Sequence, residues 1–218
     1  MGRDNHPRER RARALARKKG TRPPYDRILI CCEGAKTEPL YFEDIRIEKR
    51  IPGAHVKVMP SALGTEPLQI VEYALSKFLD AREFEHIFVV FDRDQHRTYH
   101  DALNRSAALN ERYQNDGKKL VKFTAIPSVP NFELWILLHF EDVLDFHHRD
   151  DIVRRVCACL PGYWKAMPGV YKATQSNVDT AIGRAKVLQS RYAAASGIDP
   201  YTEVDKVVEI LRAITPAK

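Results

Sequence analysis

The residues that most constrain this chain are Ile87-Phe88-Val89-Val90-Phe91, five apolar positions in a row, all β-branched or aromatic. Period-two alternation is the mark of a strand with one wet face, and it is absent here. The run therefore predicts a strand buried on both faces, as in a parallel sheet covered by helices. Ile28–Cys32 predicts another short buried strand, His55–Met59 a second after Pro52-Gly53, and Leu120–Ile126 a fourth after the Asp116-Gly117 turn. Helix-opening residues separate them: Thr37-Glu38-Pro39-Leu40 after the first strand and Thr65-Glu66-Pro67-Leu68 after the second, each read as hydroxyl cap, early carboxylate and first-turn proline. Residues 98–115 read as a more polar helix. The order β-α-β-α-β-α-β predicts an α/β fold with an open, parallel-rich sheet and right-handed crossovers.

Beyond Pro130 the pattern turns helical. Asn131–Phe140 is apolar nearly all round, which predicts a buried helix, and 149–160, 176–195 and 202–213 carry amphipathic stripes. The expected organisation is an arm over 1–24 and one domain over 25–218, with an α/β core over 25–127 and a helical extension over 128–218. In 218 residues, 44% hydrophobic and 29% charged, such a domain folds without a staple. Its longest apolar runs fall far short of the roughly 20 residues that span a bilayer, and the Arg-rich start has no apolar segment behind it, so a cytoplasmic protein is expected. Cys31-Cys32 and Cys157-x-Cys159 match no zinc or redox spacing and read as buried thiols.

Charge is unevenly placed. The first 24 residues hold nine Lys or Arg against Asp4 and Glu9, a net of +7, while the whole chain nets only +6. Arg8, Arg10, Arg11, Arg13, Arg17, Lys18 and Lys19 are accordingly candidates for binding a nucleic-acid backbone through counterion release; a solvated tail would have the same composition.

Three carboxylates stand at predicted strand ends, where open α/β sheets present their chemistry: Glu33 after the first strand, Asp92 and Asp94 after the third. If the extended conformation persists to 94, Asp92 and Asp94 share a side; if the first and third strands are neighbours, Glu33 joins them. Two like charges about 4 Å apart repel by roughly 4 kcal/mol at an effective dielectric near 20, so such a cluster protonates or takes a cation. Oxygen donors favour Mg²⁺ or Mn²⁺. Glu133, in the first turn of the apolar Asn131–Phe140 segment, is a fourth candidate ligand or a helix-dipole carboxylate with Asn131 as its N-cap. An Asp-x-Asp by itself also commonly caps a helix. Lys36 is a candidate phosphate contact beside a helix N-terminus, with Lys172 a weaker one. His96 and His100 could assist proton transfer, whereas His147-His148 with Asp150-Asp151 are not expected to converge on a metal.

The sequence Glu33-Gly34-Ala35-Lys36-Thr37-Glu38, then Phe91-Asp92-Arg93-Asp94, then Phe132-Glu133-Leu134-Trp135, resembles the RloB-like family, which is similar to the Toprim superfamily of primases, topoisomerases and nuclease domains. The resemblance runs from about Ile28 to the C-terminus. Asp199-Pro200-Tyr201-Thr202 resembles the family's Asn-Pro-Ser-Thr segment with Asp199 and Tyr201 departing from it, and Val129-Pro130-Asn131 differs from an expected Asn-Pro-Cys. The resemblance implies a Toprim-like core in which Glu33 moves a proton or joins metal binding, Asp92 and Asp94 hold Mg²⁺, and Glu133 completes a nuclease site. It also implies an AAA-type ATPase partner and a setting in anti-phage defence or abortive infection. The expected function is a Mg²⁺-dependent nuclease acting on RNA or DNA. Its rivals are a non-catalytic nucleic-acid-binding subunit of that ATPase, a nucleotidyl-transfer or strand-passage enzyme, and a small-molecule phosphohydrolase. An oligomer is compatible with any of these.

Overall fold

The computed structural model describes residues 25–214. Among the described residues five strands form one sheet: β1 Ile28–Cys32, β2 Val56–Pro60, β3 His86–Asp92, β4 Lys122–Val129 and β5 Tyr201–Thr202. Their order is β2-β1-β3-β4-β5. The first four are parallel, and only β5 runs antiparallel, opposite Ser128 and Val129. The expected α/β class and parallel-rich sheet are therefore present. β1 and β3 are neighbours, with Cys32 opposite Val90, and this places the exits of both strands side by side.

Helices cover both faces: α1 Thr37–Glu48, α2 Pro67–Ala81, α3 Tyr99–Leu109, α4 Glu133–Leu137, α5 Arg149–Cys159, α6 Val170–Thr174, α7 Val178–Arg191 and α8 Val204–Ala213. Alternate residues of the central strands feed two separate cores. Ile28, Ile30, Phe88 and Val90 pack with α1, α4, α7 and α8, while Leu29, Cys31, Ile87 and Val89 pack with α2 and α3. Five consecutive apolar residues are needed because both faces are dry.

Several boundaries differ from the sequence expectation, each for a local reason. The tetrapeptide Thr-Glu-Pro-Leu opens α1 and α2 in different phase. Thr37 is already helical, and its hydroxyl accepts the Ala166 N–H at 3.2 Å rather than capping α1. In α2 the cap is Glu66, in a capping box with Gln69. Helix α3 stops at Leu109, because the Asn110 side chain turns to accept the Phe123 N–H at 3.2 Å. The buried Asn131–Phe140 segment holds only five helical residues, and the N-cap of α4 is Phe132 without a side-chain bond. Asn131 does not cap it; its Nδ2 reaches the Arg149 carbonyl at 3.5 Å. β5 and α6 had no separate signal in the sequence. Cys31 and Cys32 are buried as expected, but Cys157 is exposed and Cys159 half-buried. Among the described residues no helix is long and apolar enough to cross a membrane.

Candidate functional site at the carboxyl edge

Glu33 follows β1 directly, and its backbone N–H continues the ladder to the Val90 carbonyl at 3.0 Å. Its side chain turns across to β3, where Oε2 accepts the Asp92 N–H at 3.0 Å. The strand ends at Asp92, although pairing persists one step further through Arg93 N–H to the Ser128 carbonyl at 2.8 Å. Asp94 then takes a left-handed conformation with φ of 36°. The extended continuation expected for Asp92-Arg93-Asp94 is therefore broken. Asp94 is instead held by a salt bridge to Arg149 at the start of α5, and its Oδ1 is buried with no hydrogen-bond partner.

Glu133 arrives from the opposite direction, as the first residue of α4, and is 2% exposed. The Tyr163 hydroxyl donates to it at 3.5 Å and the Lys165 ammonium lies 3.4 Å away. Glu38, in the first turn of α1, is buried beside this group. The turn that admits it depends on Gly34: a Cβ there would stand 2.4 Å from Glu38 Oε2.

These carboxylates act on one another. Burial pushes the Asp92 pKa well above the usual range, and the charges of Glu38, Glu33, Glu133 and Asp94 push it the same way. Burial, then the charges of Glu33 and Glu133, raises Glu38 to about 7. Glu33 is raised by burial, against the Asp92 N–H and His96, which favour its charged form. His96 bridges Glu33 at 3.1 Å and Glu66 at 3.3 Å. Burial pulls its pKa down, but the Glu33 charge and the bonds from Glu66 and Glu33 outweigh it, and the net direction is up. Glu66 also accepts the Thr98 hydroxyl at 2.8 Å.

The structure thus brings Glu33, Asp92, Asp94 and Glu133 to one edge of the sheet and leaves Lys36 exposed at the N-cap of α1. The arm residues Arg8 to Lys19 lie outside the described residues. His147 and His148 diverge: His147 accepts from Arg155 at 2.8 Å, and His148 caps α5. Sequence reasoning missed Glu38 and Glu66 as members of the site, and the repeated Thr-Glu-Pro-Leu was the signal that held them. It also missed Arg149, Tyr163 and Lys165, which no local pattern ties to the carboxylates.

For a divalent cation, the donor set is chemically suitable: hard carboxylate oxygens, a surplus of negative charge that raises the pKa of Asp92 and Glu38, and a buried Asp94 oxygen without a partner. Among the described residues, however, no three acidic, histidine or cysteine side chains stand close enough together to hold one ion. Arg149 and Lys165 already pair with two of the carboxylates, Asp94 and Glu133.

Fold and site together define a parallel-sheet α/β protein with an acidic cluster at the carboxyl edge of its central strands. A family model described as RloB-like protein matches residues 28–211, and the chain belongs to that family. No curated protein and no solved structure matches it.

Proposed function

We propose that this protein is a metal-dependent nuclease that hydrolyses phosphodiester bonds in RNA or DNA, a cytoplasmic effector of anti-phage defence working with an AAA-type ATPase. The observation that carries the reading is the convergence of Glu33, Asp92, Asp94 and Glu133, with Glu38 behind them, where their mutual repulsion calls for a cation. Asp92, Asp94 and Glu133 would hold Mg²⁺ or Mn²⁺, with Glu33 beside them. When bound, such an ion polarises a phosphodiester and lowers the pKa of attacking water. Glu33 and His96 form a hydrogen-bonded pair that can take up and pass on a proton. Arg149 and Lys165 would exchange their carboxylates for substrate phosphate as the ion enters. Lys36 and the arm residues Arg8, Arg10, Arg11, Arg13, Arg17, Lys18 and Lys19 would hold the backbone.

One observation favours the rival reading, a non-catalytic nucleic-acid-binding subunit: Asp94 and Glu133 each have an internal cation, as structural ion pairs do. Cleavage of total tRNA, single-stranded DNA and plasmid separates the two readings. Each substrate is incubated with Mg²⁺, Mn²⁺ or EDTA, with wild type beside Asp92→Asn. Metal-dependent cutting that disappears in the variant supports the nuclease. Cutting that survives in Asp92→Asn overturns the site assignment.

A further inference from the structure

A cavity of about 400 Å³ opens from the acidic cluster, sharing Asp94, His96 and Arg149 with it, and its far side is not used by the proposed chemistry. It is formed by the turn after β3, the end of β4, the loop before α5 and Asp199. Val129 and Pro130 give it an apolar wall. At its rim stands Phe146, a phenyl ring that is 70% exposed and free to stack. Arg93 and Arg149 also line the cavity, and Asp94 belongs to both the cavity and the acidic cluster.

Asp199 is the informative residue. It is 8% exposed; the His147 backbone bonds its carboxyl, while its Oδ1 is buried with no hydrogen-bond partner. A buried acceptor left unmade costs free energy, which a ligand donor reaching it would recover. Arg93 does not neutralise it through a direct pair, since its guanidinium is bonded to the Gly197 carbonyl. Burial raises Asp199 to about 6, which leaves it an ionised acceptor at pH 7.5.

An apolar wall, an exposed ring and carboxylates with unbonded oxygens, Asp199 and Asp94, suit a nucleobase. The volume suits it, since small-molecule sites run from roughly 300 to 1,000 Å³. We infer that this cavity receives one unstacked nucleobase of the substrate, stacked on Phe146 with its amino-bearing edge on Asp199, and that guanine is the base it favours. Guanine presents two adjacent N–H donors to a carboxylate. Adenine and cytosine present an amine beside a ring nitrogen acceptor. The N–H of uracil is flanked by two carbonyl oxygens, which a carboxylate repels. The sugar-phosphate of a base seated here leaves toward Arg149 and Asp94, so the substrate is single-stranded or has its base flipped out. The inference rests on the nuclease reading only for placing that phosphate at the acidic cluster.

The test uses the full chain, without turnover. Binding of GMP, AMP, CMP and UMP is measured by calorimetry at pH 7.5 in EDTA, for wild type, Asp92→Asn, Phe146→Ala and Asp199→Asn. All four probes carry the same phosphate, so differences among them report the base. GMP is expected to bind about tenfold more tightly than UMP, and Phe146→Ala to weaken GMP about tenfold. Asp199→Asn is expected to bring the GMP and UMP affinities together; should that variant fail to fold by circular dichroism, the exposed Phe146 still decides. Equal affinity for GMP and UMP, or GMP affinity unchanged in Phe146→Ala, overturns the pocket. Selective GMP binding by a wild type that cuts nothing with any metal supports the pocket independently of the nuclease reading. Cutting by a wild type without selective GMP binding supports the nuclease and overturns the pocket.

Discussion

The backbone N–H of Asp92 donates a 3.0 Å hydrogen bond to Oε2 of Glu33, a residue 59 positions earlier in the chain. This bond fixes how the exits of β1 and β3 face each other. It holds the Glu33 carboxylate over the strand end and leaves Oε1 for His96. It also binds together two acids that repel, which is tolerable only because backbone donors and His96 offset part of the charge.

Replacing Asp92 by Asn keeps the shape and removes the charge at the centre of the cluster. Metal-dependent cleavage is expected to fall by at least about a hundredfold. The metal-free fold should be as stable as wild type or more so by about 1 kcal/mol, because repulsion with Glu38, Glu33, Glu133 and Asp94 is relieved. Urea denaturation in EDTA beside a cleavage time course checks both, and a large loss of stability would contradict the repulsion.

Glu38→Gln tests the buried acid directly. The folded-state pKa of Glu38 is raised to about 7 from an ordinary 4.5. Between those values the unfolded chain has released the proton while the folded chain keeps it. Glu38 therefore contributes a loss of stability as pH rises from 4.5 to 7, of at most about 3 kcal/mol. In Glu38→Gln that fall should flatten. Gly34→Ala pushes a methyl group against the same carboxyl and is expected to cost about 1–3 kcal/mol. Melting curves from pH 4.5 to 8 in EDTA report both variants.

Mg²⁺ should raise the melting temperature of wild type, since a ligand at a hundred times its dissociation constant adds about 2.7 kcal/mol. Arg149→Ala removes the internal cation from Asp94. That variant is expected to be less stable in EDTA and to gain more from Mg²⁺ than wild type does. Asp92→Asn should gain nothing. Equal gains in all three would place the ion elsewhere.

His139 sets the acid limit on the other side of the core. Its Nδ1–H donates to the Trp135 carbonyl at 3.0 Å and the Ile136 carbonyl at 3.2 Å, and burial lowers its pKa to about 4. Above 6.5 the ring is neutral in both states and contributes no pH dependence. As pH falls from 6.5 to 4 the unfolded chain gains a proton that the folded chain refuses, so His139 contributes a loss of about 3 kcal/mol across that window, against the gain from Glu38. His139→Gln should flatten this limb while costing about 1 kcal/mol at pH 8. An unchanged acid limb in the variant would assign the loss to other groups.

The sequence by itself determined the sheet. Ile28–Cys32 and Ile87–Phe91 admit only doubly buried strands, and an acid after each was legible as chemistry at a carboxyl edge. Local signals also marked α1, α2, α5, α7 and α8 to within a few residues, because caps, prolines and apolar stripes act over one or two turns. Only the tertiary structure decided which strands are neighbours. Asp92 and Glu33 meet because β1 lies beside β3, an outcome of helix packing on both faces that neither strand encodes. It also decided that Asp94 turns into the left-handed region to reach Arg149, and that Thr-Glu-Pro-Leu opens two helices in different phase yet sends both glutamates to one site. Asp199 was visible in the sequence as a departure from the Asn-Pro-Ser-Thr pattern, but its buried oxygen facing no partner was not. Periodicity reports which face of an element is dry; it does not report what stands across the gap, because that partner is tens of residues away and arrives only when the chain closes.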